Sequence, residues 1–457
     1  MADTNGELPE REAMEFDVVI VGAGPAGLSA AIRLRQLAEE AERELSVVVI
    51  EKGSEVGAHI LSGAVVDPAG LDRLLPDWRD SGCPLNTPVT EDRFYFLRPT
   101  GKITLPNFPM PPLMNNHGNV VGSLGDLVRW LGEKAEALGV EIYPGFAAAE
   151  ILYSDDGSVV GVATGDMGVG ADGKPGDAFT RGMELRGKYT LIAEGARGSL
   201  AKQLIKQFDL AAGCEPQKFG IGLKELWEIP PEKHKPGYVQ HTFGWPLDNA
   251  TGGGSFLYHY GDNLVSVGFV VHLNYTNPYL SPYHEFQRFK THPLIAELLK
   301  GGRRIGYGAR AITEGGWQSI PQLAFPGGAL LGCAAGFVNL PRIKGSHNAV
   351  HSGIEVAEVT FAALAANRTH DTLEGYEERI RDGVVGKDLK TVRNAKPLWS
   401  RFGTIGGVML AGVDMWANVI LPRIGQGFTL GHGKPDWESV QPAASAKPID
   451  YPKPDGK

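Results

Sequence analysis

The chain has 457 residues, with 44 Lys and Arg against 53 Asp and Glu for a formal charge of −9, and it carries 61 Gly, 31 Pro and 3 Cys. At 42% hydrophobic and 21% charged it is able to bury cores, which excludes global disorder, and its length predicts about two or three domains. The acidic balance excludes a general nucleic-acid binder, which needs clustered Lys and Arg, and Cys83, Cys214 and Cys333 form no CxxC, so reduced thiols in a reducing compartment are expected.

Met1–Phe16 carries Glu7, Glu10, Glu12 and Glu15 and has neither an apolar signal core nor an Arg-rich transit composition, so it reads as a disordered tail. Asp17–Val21 (DVVIV) predicts a buried parallel strand that runs into GAGPAG, a helix-compatible stretch over 28–44, and a second strand, SVVVIE, ending at Glu51. In that unit Gly22 makes the tight turn, Gly24 lets a pyrophosphate approach the backbone, and Gly27 lets helix and strand pack closely. The helix N-terminus offers unpaired N–H groups to phosphate, and Glu51 is placed to accept ribose hydroxyls. A lone GxGxxG is weak, but with both strands and the terminal acid it predicts adenine-dinucleotide binding.

Ala58–Trp78 holds a Pro-started helix after Asp67, with Leu71, Leu74 and Leu75 read as an exposed patch. Leu85–Pro112 is rich in Pro and loop formers and ends in LPNFPMPP. Tyr189–Gly198 (YTLIAEGARG) predicts a strand and a glycine-punctuated turn. Lys218–Tyr275 alternates strand-like runs with turns, which predicts a β-rich insertion suited to a substrate pocket. Gly327–Gly353 predicts a late strand, a small-residue turn and a helix from about Ser346, whose N-terminal dipole would favour an anionic reduced flavin. This third segment favours FAD over NAD.

Past about Asp371 the chain reads as helical and charged, and 442–457 as a Pro/Lys-rich linker. Phe402–Leu421 is long enough to span a bilayer but contains Asp414 and Asn418 one turn apart. A mid-bilayer Asp costs about 2.5–3.5 kcal/mol, so an interfacial helix with that pair turned from lipid is expected. Arg401 and Arg423 flank it, and Lys387, Lys390, Arg393 and Lys396 recur as a basic row that would meet anionic lipid, although a buried core helix with a basic neighbour fits equally.

From Phe16 onward the chain resembles the flavoprotein portion of the electron-transfer-flavoprotein:ubiquinone oxidoreductase family. The resemblance is carried by GAHILSGAVVDP at 57–68, PLNTPVTEDRF at 84–94, GLKELWEI at 222–229, GWPLD at 244–248, GGSFLYH at 253–259, NPYLSPYHEFQR at 277–288 and SIPQLAFPGG at 319–328. Glu194-Gly195 and Gly332-Cys333 depart from the broader flavoprotein pattern (DG and GD) but resemble this family's own, which makes Cys333 a small packing residue beside the cofactor.

The implied fold is α/β plus β: a discontinuous, Rossmann-like FAD-binding domain of the glutathione-reductase/hydroxylase type, an inserted β-rich quinone-binding domain and a C-terminal helical membrane-contact segment. The expected divisions are FAD-binding parts at 16–84, 113–212 and 306–370, a loop-rich insertion at 85–112, and the ubiquinone-binding domain at 213–305. A helical segment at 371–441 carries the contact stretch 402–421, and 442–457 leads to a ferredoxin-like domain. That domain's four cysteines hold a [4Fe–4S] cluster in the family; this sequence lacks them, so a truncated chain is expected.

Expected FAD contacts are Gly22, Gly24, Pro25, Ala26, Gly27, Glu51, Lys52, Gly57, His59, Ser62, Gly63, Glu194, Gly195, Gly332, Cys333, Gly336, Gly345, His347 and Asn348. Gly253 and Gly254 match the positions that approach the quinone headgroup, with Phe256 and Tyr258 as pocket candidates. The flavin does the redox chemistry, so no catalytic side chain and no metal site are expected; His59, His347 and His351 read as structural. The implied activity takes electrons from reduced electron-transfer flavoprotein and reduces ubiquinone at a membrane surface. The expected surface is the cytoplasmic face of a bacterial inner membrane, or the mitochondrial inner membrane in a eukaryote. A flavin-dependent prenyl reductase or hydroxylase of the same fold, and a redox-idle FAD-holding docking module, stay open at this point.

Overall fold

The computed structural model describes residues 10–61, 63–421 and 427–453. It begins with β1 (Ala13–Val21), α1 (Pro25–Glu40) and β2 (Val47–Glu51), the expected strand–turn–helix–strand unit. β1 starts four residues before the apolar run, because Ala13–Phe16 pair in parallel with Glu184–Gly187. The end of the acidic segment is therefore strand, and residues 1–9 lie outside the described residues. Then come β3 (Ala64–Val66), α2 (Ala69–Leu74), β4 (Thr87–Pro88), β5 (Glu91–Leu97), β6 (Lys102–Leu105), β7 (Val120–Gly122) and α3 (Leu124–Ala137). They are followed by β8 (Glu141–Pro144), β9 (Ala148–Tyr153), β10 (Val159–Thr164), β11 (Met167–Val169), β12 (Pro175–Thr180), β13 (Glu184–Ile192) and α4 (Ser199–Gln207).

The middle of the chain forms β14 (Phe219–Glu228), β15 (Tyr238–Gly244), β16 (Gly253–Tyr260), β17 (Leu264–His272), α5 (Pro282–Lys290), α6 (Pro293–Leu299) and β18 (Arg303–Thr313). The last elements are β19 (Ala324–Phe325), β20 (Gly328–Leu330), α7 (Ser346–Ala365), α8 (Tyr376–Asp382), α9 (Val384–Thr391) and α10 (Ala395–Ile420).

The first sheet runs β19-β20-β13-β1-β2-β8, with β10 paired to β13 and β9 to β10. β1 is parallel to both β13 and β2, β13 to β20, and β2 to β8. Val18, Val19 and Ile20 are completely buried, as an apolar run covered on both faces requires. Its core joins α1, α3 and α7 to these strands. α1 and α7 approach closely because Gly353 has no Cβ to strike Ala26 O.

The second sheet has the order β18-β14-β17-β16-β15-β5-β6. The Pro-rich stretch 85–112, read as loop, supplies its far edge: β5 pairs in parallel with β15, and β6 folds back on β5. The alternation in EDRFYFL buries Phe94, Tyr95 and Leu97, and the prolines cluster only after β6. One face packs Leu257, Val267, Phe269 and Val271 against Phe286 and Phe289 of α5. The other sets Phe256, Tyr258 and Tyr260 beside Val65 and Val121 of the small sheet β3-β7-β4 and Val89 just past β4.

Three surface expectations are corrected. Leu71 and Leu74 are buried and Leu75 packs on the same core, because α2 lies on α7 with Gly70 facing Val350. The basic row is split by the turn between α9 and α10, which buries Arg393 and Lys396 at 4% and 3% exposure. At the C-terminal end, Gln441 N donates to Thr276 O, Asn277 Nδ2 to Lys447 O, and Tyr451 Oη to Glu285 Oε1, so the stretch read as linker is fastened along α5 as far as it is described.

Candidate functional site

The cofactor candidates meet where the parallel strands of the first sheet end, the usual ligand crevice of an open α/β sheet. Gly22 has φ of +108°, and a Cβ on it would lie 2.6 Å from Ala193 O, so the turn after β1 rests directly on the turn after β13. A Cβ on Gly27 would collide with Gly22 O. Gly24 differs: a Cβ there would meet nothing within 4 Å, and the α1 N-terminus it caps has no side-chain hydrogen bond. Pro25 stands at the first helical position, and Ala26 is buried. Glu51 accepts from Ala23 N at 3.0 Å through Oε2 and from Gly53 N at 2.8 Å through Oε1, which fixes the carboxylate while leaving lone pairs for hydroxyl donors. Uncapped N–H groups facing open space, beside a held carboxylate, fit the pyrophosphate and ribose of FAD.

The other candidates divide by what they touch. Gly57 (φ +86°) packs on Gly125 O, and Gly63 N donates to Ser266 Oγ at 3.1 Å, joining this loop to β17. Lys52 and His59 are exposed at the same edge, and Ser62 lies outside the described residues. The carboxylate of Glu194 accepts from Ala201 N at 2.8 Å, which makes it a cap for α4. Gly195 (φ +77°) faces Arg310, whose Nη1 donates to His59 O at 3.2 Å.

Gly332 N donates to Ser352 Oγ at 3.0 Å, and its Cα side faces Ala26, bringing the late turn onto α1. Cys333 follows in that turn, its thiol pushed up by burial, and Gly336 (φ +87°) leaves room for Gln217. Gly345 caps α7. His347 and Asn348 are buried with their side chains on Asp388: His347 Nε2 lies 3.2 Å and Asn348 Nδ2 2.9 Å from Oδ2. They hold the loop before α7, and Arg342 completes the group with Asp388 and Asp67.

The second sheet turns one face toward this crevice. Gly222 and Lys224 of β14, Phe256 of β16, Gly268 of β17 and Arg310 of β18 share it by register. Lys224 Nζ lies 5.4 Å from the Phe256 ring centroid, and burial, then the Arg310 charge, brings its ammonium down to about 8. Sequence reading missed Lys224 and Arg310. The usable signal was Gly-x-Gly-x-Lys over 220–224, a strand face of small residues ending in a cation.

Gly253 (φ +147°) and Gly254 lie at the start of β16, against the backbone of Val270 and Thr242 respectively. Phe256 stacks on Tyr258 at 4.7 Å, and Tyr258 Oη lies 2.8 Å from His241 Nε2. Both rings are buried cross-strand packing. A cavity of about 250 Å³ beside this end is lined by Phe96, Trp245, Leu247, Asn249, Thr404 and Ile405.

α10 kinks at Gly403 (φ 69°), where Thr404 N donates to Asn249 O and Ile405 N to Asn249 Oδ1. Beyond the kink, Ile405, Met409 and Val413 form an exposed stripe, and Phe108 is exposed beside it through the Trp416 Nε1 bond to Pro109 O. Asp414 and Asn418 turn inward: Asn394 Nδ2 donates to Asp414 Oδ1, and Asn418 Nδ2 to Thr391 O. Taken together with α9, the stretch Val384–Ile420 is long and apolar enough to cross a membrane by length and composition. Arg401 Nη2 donates to Gly431 O, and Arg423 lies outside the described residues. Among the described residues no group of three or more His, Cys, Asp or Glu could hold a metal, and the three cysteines are free thiols.

Two family models match: "ETF-QO, ubiquinone-binding" over residues 219–312 and "NAD(P)-binding Rossmann-like domain" over residues 20–76. The chain is 54% identical over 456 residues to the mitochondrial electron transfer flavoprotein-ubiquinone oxidoreductase of Rattus norvegicus, a match covering 98% of this chain and 73% of that protein. It is 52% identical over 464 residues to the protein of that name from Dictyostelium discoideum, covering 99% and 75%. Among solved structures, a geranylgeranyl bacteriochlorophyll reductase-like protein from Thermoplasma acidophilum superposes with TM-score 0.63 at 18% identity, covering 91% of this chain and 100% of that one. At that identity the likeness shows the fold alone.

Proposed function

The chain belongs to the electron-transfer-flavoprotein:ubiquinone oxidoreductase family, and on that premise we propose how its residues divide the work. It is a membrane-associated, FAD-dependent oxidoreductase that takes electrons from reduced electron-transfer flavoprotein and reduces ubiquinone. The observation that carries this is identity above half across 98% of the chain, including the matched ubiquinone-binding segment.

The turn Gly22–Gly27 and Glu51 hold the dinucleotide, and Gly332, Cys333 and Gly336 shape the wall beside the flavin. When bound, FAD supplies the acceptance and release of electrons; the protein binds, orients and shields it. Lys224 and Arg310 set positive charge on the facing sheet, which favours the electron-rich form of whatever lies between. Gly253 and Gly254 give the headgroup a backbone wall, because residues without Cβ let a flat ring come close. The cavity under Ile405 and Leu247 receives the start of the isoprenoid chain. The stripe Ile405–Met409–Val413 with Phe108 lies in the membrane interface, and Asp414 and Asn418 stay on the protein side. The membrane is a bacterial inner membrane met on its cytoplasmic face, or the mitochondrial inner membrane in a eukaryote.

The test is spectroscopic. The FAD-loaded chain is mixed with reduced electron-transfer flavoprotein, then with a short-chain ubiquinone. Bleaching of the flavin band followed by stoichiometric recovery with quinone is expected. A flavin that bleaches but recovers only with oxygen, or a chain that retains no flavin, overturns the assignment.

A further inference from the structure

His272 at the end of β17, Glu314 just past β18 and Lys396 in the first turn of α10 meet in a buried cluster that the cofactor turns do not touch. Glu314 is 1% exposed, and both partners are 3% exposed. Lys396 Nζ donates to Glu314 Oε2 at 2.6 Å. Oε1 has no hydrogen-bond partner, and His272 Nε2 stands 3.6 Å from it. A buried carboxylate oxygen left without a donor is costly, so the arrangement calls for a reason.

The opposite side of the imidazole points to that reason. His272 Nδ1 lies where a Cβ on Gly252 would collide with it, and Gly252 immediately precedes Gly253 and Gly254. Trp399 packs its edge on His272 with centroids 4.7 Å apart and on Phe243 at 5.6 Å; Phe243 Cδ1 is in turn 3.5 Å from the position of a Cβ on Gly254. Contact is thus continuous from the buried carboxyl to the glycines assigned to the headgroup. The other charged or titratable groups around it are Lys218 and Asp436, paired at 3.2 Å, and His432, whose Nε2 is 2.7 Å from Gly315 O.

We propose that Glu314, acting through His272, delivers one of the two protons that ubiquinone takes up on reduction, an inference that rests on Gly253 and Gly254 as the headgroup site. In the step, the O–H bond at Glu314 Oε1 breaks and an N–H bond forms at His272 Nε2. The N–H bond at Nδ1 breaks, and an O–H bond forms on a quinone oxygen, with electrons supplied by the reduced cofactor. The carboxylate keeps the Lys396 ammonium as its partner until a proton from water replaces the one lost, and the second quinone proton also comes from water. Burial raises Glu314 above the ordinary carboxyl value, against the pull of Lys396, and holds His272 well below its ordinary value. Both shifts run toward the neutral acid and neutral imidazole that the step requires.

The experiment follows reoxidation of the reduced, FAD-loaded chain in single turnover. One arm uses a short-chain ubiquinone, and the other ferricenium, which accepts an electron and no proton. Glu314→Gln is expected to slow the quinone arm by roughly 10²-fold, the lower range for a general acid, to flatten its pH profile, and to leave the ferricenium arm unchanged. Because a glutamine leaves Lys396 buried without a carboxylate, Glu314→Gln/Lys396→Met removes both charges, and His272→Asn interrupts the relay with the pair intact; both should reproduce the split. Wild-type quinone rates in all three variants, or equal slowing in both arms, overturns the proposal. A wild-type chain that reacts with ferricenium but not with ubiquinone overturns the headgroup assignment and this inference with it.

Discussion

Asp388 accepts hydrogen bonds from Arg342 at 2.9 Å and Asn348 at 2.9 Å, with His347 at 3.2 Å, and so fastens the loop that presents Gly332–Gly345 to the start of α7. Burial pushes its pKa up, but His347 and Arg342 outweigh burial and hold the carboxyl well below the usual 3.8. Its contribution to stability is therefore complete above that ordinary value and is lost as pH falls toward the lower folded one. Asp388→Asn should cost about 1–3 kcal/mol at neutral pH, because it keeps the shape and removes the charge-assisted bonds. It should also flatten the loss of stability that sets in as pH falls below about 4. Urea midpoints across that range decide the matter: parallel curves for variant and wild type would mean the group has no such role. At this scale, legibility followed sequence distance. Gly27 and Glu51 were readable because their partners lie within one βαβ unit. His347 was read toward the cofactor because its neighbours are Gly345 and Asn348, whereas its partner, Asp388, lies 41 residues away. Lys224 and Arg310 reach the crevice only through strand register, which no local motif encodes.

For single elements, α10 shows what amphipathicity does and does not disclose. The apolar length of Phe402–Leu421 and the inward turn of Asp414 and Asn418 were readable from helical spacing, since residues four apart share a face. The kink was not readable, because it depends on Asn249, 154 residues before Gly403 in the loop between β15 and β16. The basic row failed for a related reason: a three-residue repeat implies one face only if one helix carries it, and here two helices do. Met409 and Val413 are 70% and 69% exposed, so Met409→Asp/Val413→Asp should leave the fold and the flavin spectrum intact. Each Asp costs less at the interface than the about 2.5–3.5 kcal/mol at a bilayer centre, yet two together should weaken liposome binding more than about tenfold. Ala411→Asp, two residues from each on the buried side, should instead destabilise the protein. Flotation with liposomes separates the two, and unchanged binding by the double variant would remove this stripe from the membrane contact.

Across the whole molecule, the second sheet, the α9–α10 helices and the cofactor domain are tied by the segment that follows α10. Gln318 Nε2 donates to Leu430 O and Leu430 N to Asn394 Oδ1, while Phe219 N donates to Asp436 Oδ2 and Tyr451 Oη to Glu285 Oε1. For its last part, 442–457, composition suggested a spacer, because Pro and Lys disfavour regular structure; an irregular chain is nevertheless held when its backbone groups find partners on neighbouring elements. The critical bond is ionic: Lys218 is 2% exposed, and Asp436 is its carboxylate partner at 3.2 Å. Removing the acid alone strands a buried cation, so Asp436→Ala should cost about 3–5 kcal/mol. Asp436→Ala/Lys218→Met takes away both charges and should recover much of that loss, the non-additivity expected of a contacting pair. If the segment is a true fastening, Asp436→Ala should also expose residues 427–453 to protease well below the unfolding midpoint, with the double variant again protected. Equal sensitivity of single and double variants would place the effect in the lost hydrogen bond from Phe219 N rather than in an unpaired charge. Lys218 lies beside the cluster of Glu314, His272 and Lys396, so the pH profile of quinone reduction in the double variant should shift even where stability is restored.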